Sequence, residues 1–304
     1  LRLDEAYAAR MDRLIRAADA LGMIVIVSLF YFMQAGRLED DHAVIAAVRT
    51  GSRFLREGGY TNVILEIANE HELVNKSGRN HPQILTTAGM IELMAISREE
   101  SGGLPVGCSR CGGSVDPDLS LASDVVLIHG NGCTRQGLYR LILKAQACAP
   151  GRPVVCNEDS QALGQLDVAV RAGASWGYYN DMTKQEPPAD WGVTPGEDRF
   201  FALRMARAVG IDQPEPPESE QYLLQGLTPH ETWSGRRWLR LASLYPENID
   251  RVEFFRDGVL IDICHDEPFS LGFRNNWNQD AIVCGPEEIL TARVHLRDGR
   301  ILER

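Results

Sequence analysis

Six short apolar runs, each followed by a stretch of helix length, limit the folds open to this chain more than any other feature. They are "MIVIVSLF" (23–30), "NVILEIA" (62–68), "LPVGC" (104–108), "DVVLIHG" (124–130), "PVVCN" (153–157) and "ASWGYY" (174–179). Most are apolar throughout rather than alternating, which is the pattern of strands buried on both faces of a parallel sheet. The text between them, such as "DDHAVIAAVRTGSRFLREGG" and "ILTTAGMIELMAISREE", has helical periodicity and several of its segments end in glycine. Strand alternating with helix denotes βα units. Right-handed crossovers then allow a closed barrel or an open, doubly wound sheet.

The period changes after residue 210. "DQPEPPESEQ" is rich in Pro and Glu and reads as a solvated strap over 211–235. From 236 to 304 the runs are short, and Asp-Gly pairs at 257–258 and 298–299 give the strongest local signal for hairpins. This part is expected to be a small antiparallel β-sandwich of immunoglobulin-like size, following an α/β domain over residues 1–210.

Composition removes several classes of function. The net charge of −11 disfavours nucleic acid, whose phosphates it repels. No apolar run reaches the roughly 18 residues of a membrane span. Seven cysteines, an odd number spread over 304 residues, do not make a disulfide scaffold. "CSRC" (108–111) has no second CxxC or HxxxH to complete a zinc site, so no metal is expected. The chain opens at Leu1 on an amphipathic helix with no signal peptide, and the expectation is of a chain entered partway. A secreted or periplasmic address is compatible with this, and oligomeric state is open.

Two runs end in similar charged clusters. "VILEIANEHE" delivers Asn69, Glu70, His71 and Glu72, and "PVVCNEDS" delivers Asn157, Glu158 and Asp159. In a βα barrel the site lies at the C-terminal ends of the strands, where both clusters fall. Two carboxylates with differently tuned surroundings are what glycosidic hydrolysis needs, one protonated to donate to the leaving oxygen and one ionised. Asp159 competes with Glu158 for the second role. His71 and Glu72 read mainly as supporting or loop residues.

The strand-Asn69-Glu70 motif, with Glu158 in "VVCNEDS", His129 in "LIHGNG" and Trp176 in "ASWGYY", resembles clan A glycoside hydrolases over residues 1–210. The resemblance implies a (β/α)8 TIM-type barrel and a retaining mechanism acting on an oligo- or polysaccharide, with no cofactor. It implies Glu70 as general acid/base on the fourth strand and Glu158 as nucleophile on the seventh. Asn69 would bond a sugar hydroxyl, Trp176 would floor a sugar subsite, and His129 would stand near the nucleophile. Tyr31 and Gln34, past the first run, would line the cleft, with Asn180, Asp181 and Trp191 as more distant candidates. On this count the six runs are strands three to eight, two strands are missing before Leu1, and the clan's second-strand arginine has no match. The rivals are a catalytically inactive carbohydrate-binding barrel, a metal-assisted hydrolase, for which only His129 offers a suitable strand-end ligand, and the doubly wound sheet.

Overall fold

The computed structural model describes residues 2–73, 78–179, 192–193, 195–227, 232–233, 236–237, 239–271, 273–274, 277–278, 282–283, 285 and 287–304. Asn180, Asp181 and Trp191 lie outside them. The chain forms two compact units, residues 1–129 with 139–157, and residues 130–138 with 158–304.

In the first unit the chain runs α1 (Glu5–Ala20), β1 (Val25–Tyr31), α2 (Phe32–Ala35), α3 (Asp41–Glu57), β2 (Val63–Asn69), α4 (Pro82–Leu85) and α5 (Thr87–Glu100). It continues through β3 (Val106–Gly107), α6 (Pro117–Ala122), β4 (Val126–His129), α7 (Arg135–Cys148) and β5 (Val154–Glu158), the last two elements extending into the second unit. The first five apolar runs are therefore strands. Helix starts follow local chemistry: Asp4, Asp40, Thr86 and Asp116 each accept a backbone N–H of the first turn of α1, α3, α5 and α6.

β1, β2 and β3 form a parallel sheet in that order, with Ser28 opposite Glu66 and Glu66 opposite Gly107. Backbone hydrogen bonds carry the series on, from Asp124 N–H to Val106 O (2.8 Å) and from Val126 N–H to Pro153 O (2.9 Å). Strands β1 to β5 thus lie side by side in chain order. A barrel is wound in this order, and so is a doubly wound sheet on either side of its switch point. Gly107 is required here, because a Cβ would stand 2.4 Å from Val125 O.

The core explains why these runs are apolar. Val63, Leu65 and Ile67 of β2 cluster with Val44, Val48 and Leu55 of α3 and Met90, Leu93 and Met94 of α5, all buried. Each large side chain so buried contributes about 1.5–3 kcal/mol.

The second unit contains α8 (Gly164–Arg171), β6 (Ser175–Trp176), α9 (Glu197–Ala208), β7 (Tyr222–Gln225), β8 (Thr232–Trp233), β9 (Arg236–Arg237), β10 (Arg240–Ser243), β11 (Ile249–Arg256) and β12 (Val259–Cys264). It ends with β13 (Phe273–Arg274), β14 (Trp277–Asn278), β15 (Ile282–Val283), β16 (Leu290–Leu296) and β17 (Ile301–Glu303). The sixth apolar run is a strand over two residues only. The strap at 211–235 is not all irregular, since β7 pairs antiparallel with β10.

The main sheet is antiparallel in the order β12-β11-β16-β17. Asp257 and Gly258 join β11 to β12 with φ of 50° and 77°, the positive angles that a two-residue hairpin turn of this hand requires. Val252, Phe254, Ala292 and Val294 from β11 and β16 fill its core with Tyr222 and Leu241. A buried ion pair, Arg240 Nε to Glu197 Oε1 at 2.7 Å, ties α9 to β10. No helix among the described residues is long and apolar enough to cross a membrane.

Candidate active site

β2 carries its polar cargo at the C-terminal end. Asn69 is the last strand residue and pairs with Tyr31, the last residue of β1, whose side chain is exposed. Gln34 follows on α2 and is also exposed. Tyr31, Asn69 and the start of α2 thus belong to one rim of the first unit.

Glu70 comes next, with φ of 48°, in the left-handed region that a bulky L-residue seldom adopts. Holding it there costs about 1–3 kcal/mol, and such strain persists only where its surroundings over-determine it. They do so here from two sides. The Glu70 N–H donates to Ser109 Oγ at 3.1 Å, and Glu70 Oε1 meets His129 Nδ1 at 3.0 Å. His129, at the end of β4, is fully buried while the Glu70 carboxyl is partly open to solvent. His129 can therefore orient the Glu70 carboxyl from below without closing it off.

The neighbours of Glu70 are structural. His71 is buried and its Nδ1 donates to Ile84 O at 3.0 Å; burial holds its imidazole below the usual histidine range. Glu72 accepts from Arg110 Nε at 3.1 Å and from the Cys111 N–H at 3.0 Å. Burial alone would raise the Glu72 pKa, but these donors outweigh it and hold the carboxyl below the usual range. Cys108 and Cys111 are in no disulfide. Burial pushes the Cys108 thiol well up and that of Cys111 up to about 11.

In the second unit, Glu158 at the end of β5 is half-buried and accepts from Asn131 Nδ2 at 2.9 Å. Asp159 is buried and receives the Trp176 indole N–H at 2.6 Å. Of the two adjacent carboxylates, Asp159 is thus taken up in packing and Glu158 is the more open. Trp176 is itself only 4% exposed and lies against Tyr178 and Phe201, at ring-centroid distances of 6.2 and 6.0 Å. The expectation of an open sugar platform is corrected to a packed ring. Its hydrogen bond to Asp159 explains why it sits inside. Gly130 makes room for the pair, because a Cβ there would meet Asp159 Oδ2 at 2.5 Å.

Sequence reasoning passed over Glu66, Ser109 and Asn131. Glu66 had a visible signal, as the single charge inside the apolar run "VILEIA". Ser109 and Asn131 had none, because their roles depend on which strands lie side by side.

No family model matches the chain, and no curated protein does. Among solved structures, a β-glucuronidase of Bacteroides uniformis is similar at TM-score 0.49 and 13% identity, over 96% of this chain and 39% of that one. A β-glucuronidase of Parabacteroides merdae gives TM-score 0.44 and 14% identity, over 99% and 45%. A structure described as β-glucosidase 1317 gives 0.43 and 16%, over 59% and 68%. The chain spans less than half the length of these two β-glucuronidases.

Proposed function

We propose that the chain is a retaining glycoside hydrolase built on a (β/α)8-type barrel over residues 1–210, with a β-sandwich over 236–304. The observation that carries the reading is the Glu70 turn: a strained residue at a parallel-strand end, its carboxyl partly open and hydrogen-bonded to a buried histidine. A carboxyl so placed is suited to protonate a departing glycosidic oxygen and then to take a proton from water.

In this reading Glu70 is the general acid/base and Glu158 the nucleophile. Glu158 attacks the anomeric carbon as Glu70 protonates the leaving oxygen, giving a covalent glycosyl-enzyme. Water, deprotonated by Glu70, then attacks the anomeric carbon and releases Glu158. Asn131 holds one Glu158 oxygen. Asn69, Tyr31 and Gln34 bind sugar hydroxyls at the rim, His129 orients Glu70, and Trp176 supports the site through Asp159. No cofactor enters these steps.

The test is hydrolysis of a panel of aryl glycosides, β-glucuronide and β-glucoside among them, by wild type, Glu70→Gln and Glu158→Gln. Loss of general acid/base action costs about 100- to 10,000-fold. Glu158→Gln is expected to abolish turnover. Activity that survives both substitutions rules the assignment out.

A further inference from the structure

Glu66 is the most deeply buried carboxyl of the first unit that the proposed chemistry leaves unused. It stands in the middle of β2, 3% exposed, on a strand whose other members are apolar except Asn69 at its end. A carboxyl in such a place is costly unless neighbours compensate. The side chains of Ser109, Ser28 and Asn157 face it together with His129, yet its Oε1 has no hydrogen-bond partner among the described residues. Burial accordingly pushes the Glu66 carboxyl above the usual range, against those four groups. The remaining titratable group facing it is the Cys108 thiol, buried and hydrogen-bonded to Ala68 O.

The neighbours of Glu66 are the ones that matter to Glu70. Ser109 is the hydroxyl that accepts the Glu70 N–H, and His129 is the ring that bonds the Glu70 carboxyl. Asn157 is the residue before Glu158 on β5. We propose that Glu66 is a positioning residue: through Ser109 it fixes the strained turn that carries Glu70, and by its charge it sets the protonation of His129 beneath the Glu70 carboxyl. The catalytic part of this rests on the glycosidase reading; the coupling to His129 does not. The Ser109 hydroxyl accepts from the Glu70 backbone and also faces Glu66. A negative Glu66 favours imidazolium at His129, and a neutral group in its place removes that attraction.

The experiment compares wild type with Glu66→Gln, which keeps the side-chain shape and removes the charge. The His129 imidazole is titrated by NMR in nitrogen-labelled protein, its resonance assigned with His129→Gln. The expected result is a midpoint lower by about one pH unit in Glu66→Gln, with kcat down by roughly 100-fold, as for an ångström of misplacement, and KM within about twofold. An unmoved His129 midpoint overturns the proposal, and so does a shifted midpoint with unchanged kcat in an active enzyme. If wild type hydrolyses no glycoside, the glycosidase reading falls, while the titration still decides whether Glu66 governs His129. Should Glu66→Gln fail to fold, Ser28→Ala, which removes one polar neighbour of Glu66, is expected to move the midpoint the same way by less. No movement there overturns the proposal equally.

Discussion

Ser109→Ala isolates the device that holds Glu70 in place. The substitution removes one oxygen from a fully buried position on the chain just after β3. Its first consequence is an unpaired Glu70 N–H, since the 3.1 Å bond to Ser109 Oγ disappears. Leaving a buried donor unpaired costs about 1–3 kcal/mol. Its second consequence is the loss of a polar neighbour of Glu66, which makes that carboxyl harder still to bury. The left-handed backbone at Glu70 already holds about 1–3 kcal/mol of strain, and one of its two restraints is now gone. We expect unfolding free energy to drop by about 2 kcal/mol. We also expect kcat to fall by roughly 100-fold, because the turn relaxes and moves the carboxyl.

Urea unfolding followed by circular dichroism reads the first quantity as a lower midpoint at unchanged slope. Kinetics on the best aryl glycoside of the panel read the second. Ser123→Ala is the control: it is equally buried and its hydroxyl donates to Leu119 O at 2.8 Å, but it touches neither Glu70 nor Glu66. It should lose stability and keep its kcat. If Ser109→Ala is as stable and as active as wild type, the restraint argued here is not what holds Glu70.

Three further expectations follow from other parts of the molecule. Glu72 and Asp116 share Arg110, and both carboxyls are held below their ordinary 4.5 and 3.8; in each case burial opposes the shift and hydrogen bonds outweigh it. Their folded pKa values are depressed, so the stability they contribute is present above those ordinary values and is lost as pH falls through the folded ones. The advantage of wild type over Glu72→Gln in urea melts should therefore hold from neutral pH to about pH 5 and fade below that; an advantage constant down to acid pH contradicts the assignment. Gly130→Ala puts a methyl 2.5 Å from Asp159 Oδ2 and should push that carboxylate off the Trp176 indole, seen as changed tryptophan fluorescence and lower stability. Phe254→Ala removes a fully buried ring from the C-terminal core and should cost about 3–5 kcal/mol, read by urea unfolding; a cost under about 1 kcal/mol would mean that this core is not packed as described.

The strands were legible because their apolar runs are short, separated by helical periodicity and delivered in chain order. β1 to β5 fall where "MIVIVSLF" through "PVVCN" place them, and the Asp257-Gly258 turn adopts the two positive φ angles its residue types favour. The strap at 211–235 reads as solvated from its prolines and glutamates, yet Tyr222–Gln225 within it is a strand, because β10 supplies a partner that local composition cannot announce. Glu70 was legible as a charged residue at a strand end. The reason it can be held in a left-handed turn was not, because Ser109 lies 39 residues away in the chain and becomes its neighbour only when β3 pairs with β2. Trp176 shows the opposite error. A tryptophan at a strand end suggests an open platform, but Asp159, 17 residues earlier, captures its indole and draws it inside.

The measurement that bears most directly on the central claim is covalent trapping of the nucleophile. Wild type is incubated with a fluorosugar inactivator matched to the best substrate of the panel, digested, and mapped by mass spectrometry. The account predicts a single glycosylated peptide modified at Glu158, with no label in Glu158→Gln. A label on Asp159 or Glu70, or an active enzyme that carries no label at all, contradicts it.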